Sequence, residues 1–71
     1  MDTEEAIDKA LNFLKKKGGY YYAQLVSAKL EDGTWVIKFD VGILTERIVT
    51  IKIDDKTGRV IEFERHQAKS A

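Results

Sequence analysis

A helical apolar stripe ending at paired glycines, followed by two hairpin turns set in period-two apolar runs, predicts an α+β fold. Its form is one N-terminal helix packed on a four-stranded antiparallel meander sheet, in the order α-β-β-β-β. From Thr3 to Lys17 the apolar positions Ala6, Ile7, Ala10, Leu11, Phe13 and Leu14 fall within an arc of roughly 160° on a helix. Asp2 and Glu5 have the spacing of a capping box, Lys15, Lys16 and Lys17 complement the carbonyl end, and Gly18-Gly19 supplies the left-handed stop.

Beyond the glycines Asp32-Gly33 marks a two-residue hairpin turn. A tight turn there sets Leu30 opposite Trp35, Ala28 opposite Ile37, Val26 opposite Phe39, Gln24 opposite Val41 and Tyr22 opposite Ile43. All five pairs share one face, so the turn and the apolar pattern choose the same register. A second hairpin is marked by Asp54-Asp55-Lys56-Thr57-Gly58, with Gly58 at a left-handed position. It pairs Ile53 with Ile61, Ile51 with Phe63 and, on the opposite face, Lys52 with Glu62. The join between the second and third strands has no tight-turn signal, and its loop is placed near Leu44 to Glu46. The expected core is the helix stripe with Val26, Ala28, Leu30, Trp35, Ile37, Phe39, Val41, Val49, Ile51, Ile53, Ile61 and Phe63. Residues 1–66 form a single domain, and residues 67–71 read as a flexible tail.

Seventy-one residues give only a small core, so either the packing is tight or a second subunit adds to it. Without cysteine, neither a disulfide nor a thiolate metal site contributes. Twelve basic and twelve acidic residues cancel, which removes the electrostatic term that dominates nucleic-acid binding. The start Met-Asp-Thr-Glu-Glu has no signal-peptide character and no apolar run approaches a membrane span, so the expectation is a cytoplasmic protein with no membrane partner.

No catalytic constellation emerges. His66 has no nucleophile or second ligand at a recognisable spacing, and Glu62 and Glu64 read as a solvated ladder with Lys52 opposite. The aspartates of the second turn lack the regular oxygen ligands and closing glutamate of a calcium loop. The glycines form no phosphate-binding loop. The expectation is a non-enzyme with no cofactor, no metal and no identifiable small-molecule substrate.

The opening helix Glu4-Glu5-Ala6-Ile7-Asp8-Lys9-Ala10-Leu11 and the stretch Ile51-Lys52-Ile53-Asp54-Asp55-Lys56-Thr57-Gly58-Arg59-Val60-Ile61 resemble the PepSY family, whose domains end in a strand of the form V-x-V-D-x-x-T-G-x-V. The likeness spans most of residues 4 to 63 and implies a peptidase-binding or regulatory module. Members are usually exported or membrane-attached, and no signal or anchor is seen here. The architecture is also similar to that of cystatins. Gln24-Leu25-Val26-Ser27-Ala28 resembles their Q-x-V-x-G loop, but Ala28 replaces the glycine and the segment falls inside a strand.

Tyr20-Tyr21-Tyr22 alternates across the sheet, which sends Tyr22 to the core, Tyr20 to the core or over the helix end, and Tyr21 to the open face. Carried to that face, the first-hairpin register pairs Glu31 with Thr34, Lys29 with Val36, Ser27 with Lys38, Leu25 with Asp40, Ala23 with Gly42 and Tyr21 with Leu44. Ile48 falls beside Gly42. Tyr21, Ala23, Leu25, Leu44 and Ile48 would then form an apolar patch that binds protein, and such a patch usually marks an interface. The functional expectation is a small interaction module, forming a homodimer or docking another protein through the open sheet face or an edge strand. A PepSY-like peptidase-binding or inhibitory domain and an engineered scaffold without a native function are the alternatives.

Overall fold

The computed structural model describes residues 1–66 and shows the expected α+β architecture. The tail expected from Gln67 to Ala71 lies outside the described residues. Helix α1 (Thr3–Phe13) is followed by β1 (Gln24–Glu31), β2 (Thr34–Asp40), β3 (Ile48–Asp54) and β4 (Val60–His66), and the sheet order is β1-β2-β3-β4. The capping box forms as expected: Asp2 Oδ1 accepts from the Glu5 amide at 2.8 Å, and Glu5 Oε1 accepts from the Asp2 amide at 3.0 Å. The helix does not run α-wound to Lys17. From Leu14 to Gly18 it widens to a π turn, and the Leu14 carbonyl takes the N–H groups of both Gly19 and Tyr20. Gly19, at φ 73°, ends it, and the Tyr20 ring lies over Gly18 so closely that a Cβ there would sit 2.8 Å from a ring carbon.

The core lies between α1 and the two central strands. Trp35, Ile37 and Phe39 of β2 stand in register with Ile53, Ile51 and Val49 of β3, and all six are buried. Ala6, Ala10 and Leu14 press onto them; two alanines in that stripe let the helix backbone approach the sheet closely. Helical phase sends Ile7 and Leu11 to one flank of this stripe and Phe13 to the other. Phe13 packs edge-on against Phe63 of β4, with ring centroids 5.4 Å apart, so Ile7 and Leu11 lie toward β1.

The first hairpin follows the expected pairing beside its turn and departs from it at a bulge farther along; the second departs beside its turn and follows the expected pairing beyond the shift. In the first, Leu30↔Trp35, Ala28↔Ile37, Lys29↔Val36, Ser27↔Lys38 and Glu31↔Thr34 are as expected. Val26 then stands outside the ladder, and pairing resumes one residue out of step as Leu25↔Phe39 and Gln24↔Asp40. The expected pairs Val26–Phe39, Gln24–Val41, Tyr22–Ile43 and Leu25–Asp40 are therefore not made. In the second, Ile51↔Phe63 and Lys52↔Glu62 hold, but the register shifts and Ile53 meets Val60 instead of Ile61. The expected core members Val26 and Ile61, which the shifts leave outside the ladder, are about half exposed, and so is Leu30, which keeps its expected pair on an outer strand while one short helix covers the middle of the sheet.

The strand-two to strand-three connection is longer than expected and starts earlier, covering residues 41–47. Asp40 stops the strand: its Oδ1 accepts from the amides of Gly42 at 2.9 Å and Arg47 at 3.1 Å, an Asx-type closure. The Val41 amide donates to the Arg47 carbonyl, which turns the Val41 side chain into the core. Ala23–Gly42 and Tyr21–Leu44 consequently do not pair, since neither partner of either pair belongs to a strand.

Candidate docking surface

The five residues expected to form one apolar patch occupy different places. Ile48 opens β3 on the face away from the helix, between Asp40 and His66. Leu25, displaced by the bulge, stands in register with the core residue Phe39. Ala23 packs partly against the core. Tyr21 and Leu44 lie off the sheet, fully exposed, and border two different hollows, each of which Tyr20 also lines. The bulge at Val26 and the side-chain closure at Asp40 together take this patch apart.

The face away from the helix is polar apart from Val36 and Ile48. Its register positions carry Ser27, Lys29 and Glu31 from β1, Lys38 from β2, Thr50 and Lys52 from β3, and Glu62, Glu64 and His66 from β4. Lys52 Nζ lies 3.5 Å from Glu62 Oε1, and Thr50 Oγ1 is 3.0 Å from His66 Nε2. Among the described residues no three His, Cys, Asp or Glu side chains converge as a metal set, and no buried side-chain polar atom lacks a hydrogen-bond partner. The carboxyls of Asp40 and Asp54 are held below the ordinary carboxylate range. The Arg47 and Gly42 amides stabilise the charged form of Asp40, and the Thr57 amide does so for Asp54. Both therefore act as turn-formers. Asp54, Thr57 and Gly58, the D-x-x-T-G residues, build the second turn: Asp54 Oδ2 accepts from the Thr57 amide at 2.8 Å, and Gly58 adopts φ 72°.

The two flanks of the helix are finished differently. On the β4 side Phe13 meets Phe63, the Arg65 guanidinium lies 5.6 Å from the Phe63 ring centre and 6.0 Å from that of Tyr20, and the Lys9 stem reaches Gly58. Among the described residues no comparable cover lies on the β1 side. There Leu25 is 45%, Val26 53% and Leu30 49% exposed, beside the partly buried Ile7, Leu11 and Ala28. Apart from the edge, a shallow cleft of about 500 Å³ opens at the end of the sheet between Tyr20, the 41–45 segment and Arg47.

The alternation places Leu30 on the helix side of an outer strand, whereas Leu25 joins it there only through the bulge at Val26. What the sequence lacks is any mark of how far one helix reaches across the sheet. No protein-family model, no curated protein and no solved structure matches this chain.

Proposed function

We propose that this chain is a small non-catalytic protein-interaction module whose working surface is the β1 edge, where a partner adds an extended strand. One observation carries the reading: the edge strand β1 leaves Leu25, Val26 and Leu30 half exposed beside the helix, while along the other edge strand, β4, Phe13, Phe63 and Arg65 pack over the helix flank and leave Ile61 as that strand's one half-exposed aliphatic side chain among the described residues. An edge strand presents a row of free backbone groups, which supply affinity, and half-exposed Leu25 and Leu30 supply apolar contact for alternate side chains of the incoming strand.

A random-peptide selection tests it. Peptides whose binding is lost in Leu30→Pro, which deletes an outward N–H, yet kept in Lys38→Glu on the polar face support the edge. The reverse pattern overturns it. The resemblance to PepSY domains, built on the element order and the Asp54–Gly58 turn, supports a second reading as a peptidase-binding or inhibitory domain. Inhibition of a peptidase that survives Leu30→Pro would favour that reading over edge docking.

A further inference from the structure

We propose that the strand added at this edge is β1 of a second copy, paired antiparallel about a two-fold axis through Leu30; the proposal rests on the edge-docking reading. The turn sets which backbone groups are free. Asp32 at φ 49° and Gly33 at φ 75° form a two-residue turn closed by the Glu31↔Thr34 pair, so Glu31, Lys29 and Ser27 bond inward to β2. Ala28 and Leu30 then direct their N–H and C=O groups outward. Antiparallel neighbours must share a face, so the axis passes through a residue position, and five positions, Ser27 to Glu31, are open between the bulge and the turn.

An axis at Ser27 sets Ala28, and one at Ala28 sets Leu30, against Val26, the residue that leaves the ladder. An axis at Lys29 places two ammonium groups directly opposite each other, and one at Glu31 does the same with two carboxylates. At Leu30 each Lys29 faces Glu31 of the other copy, twice by symmetry. Leu30 meets its own copy on the helix side through an outward-bonding pair, and Ala28 reaches Asp32. Charge complementarity, backbone parity and the bulge thus select the same axis. Both helices lie on one side of the resulting eight-stranded sheet, and the half-exposed Leu30 side chains cover one another. A ladder this short makes a weak, concentration-dependent dimer.

Sedimentation equilibrium of the wild type, Lys29→Glu, Glu31→Lys and the double swap tests the axis, with far-ultraviolet circular dichroism reporting that each variant folds. The expected result is a wild-type dimer, a dissociation constant raised roughly tenfold in each single variant, and recovery in the double swap. A wild type that stays monomeric at the highest attainable concentration, or a dimer indifferent to both single variants, overturns the proposal. Amide exchange at Ala28 and Leu30 separates the two readings. Protection of these amides in a dimer with a failed swap cycle rejects the axis and keeps the edge; free exchange throughout a dimer rejects both.

Discussion

The two ends of the sheet are built on different principles. At the end that carries both hairpin turns, backbone rules decide: Asp32-Gly33 and Asp54–Gly58 set the strand registers, and the Asp55 amide donates to the Gly33 carbonyl, tying the turns together. Asp55 also accepts from the buried Trp35 indole at 2.8 Å and lies 3.5 Å from the Met1 ammonium. At the end beyond Asp40, side chains and steric exclusions decide, through the Asp40 carboxylate, the glycine at 42 and the Tyr20 ring over Gly18. The first kind of order follows from residue type and spacing. The second depends on groups several residues apart meeting in space.

The largest expected effect tests the far end. A Cβ on Gly42 would lie 1.7 Å from the Thr45 carbonyl oxygen, a backbone atom that cannot swing aside. Gly42→Ala should therefore cost about 3 kcal/mol or more, read from urea unfolding, because the whole 41–47 loop must open. A loss below about 0.5 kcal/mol would show that the loop relaxes freely and that its closure does not stop the strand.

At the turn end, Asp55→Ala removes the acceptor of a buried indole N–H and the neighbour of the terminal ammonium. Leaving that donor unsatisfied costs about 2 kcal/mol. Trp35→Phe in the same background should recover part of the loss, since no orphaned N–H remains; a double variant no better than Asp55→Ala with intact Trp35 would break the account.

How much of this was legible follows from the same contrast. The helix cap, both turns, the Ile51–Phe63 and Lys52–Glu62 pairs and the central core are local or period-two features, and the sequence carries them openly. The slip at Val26 was hidden because Leu25 and Val26 are both apolar, so either one satisfies the alternation. The end of β2 was written in the sequence as an aspartate two residues before a glycine, a side-chain turn signal that the apolar run from Val41 to Leu44 obscured. The expected patch failed with these two features, whereas the half-exposed β1 edge depends on helix reach, which no local pattern encodes.

A pH experiment sharpens the comparison, since each end contains one aspartate whose charged form the fold favours. Both Asp40 and Asp54 titrate below the ordinary value of 3.8, so the folded state binds their protons less readily than the unfolded chain. Their contribution is fully present above that value and is lost as pH falls through the lower folded values. Asp40→Asn retains an acceptor oxygen for Gly42 and Arg47 but cannot titrate, so its unfolding midpoint should fall less steeply on acidification below about pH 4 than that of the wild type. Parallel acid limbs would remove Asp40 from the account.

The smallest expected effect lies midway between the ends, at Lys52 and Glu62. Their alignment was predicted from the second turn, and the side chains meet at 3.5 Å, but both are more than a third exposed. Solvent screens such a pair, and holding two long side chains in one geometry costs entropy, so a double-mutant cycle with Lys52→Met and Glu62→Gln should return a coupling of about 0.5 kcal/mol, shrinking further in salt. The pair then follows the register without fixing it: apolar Ile51 and Phe63 on the other face already penalise a one-residue slip, which would turn both into water. A coupling above about 2 kcal/mol, insensitive to salt, would instead make this pair a determinant of strand alignment and place part of the turn end's order in side chains after all.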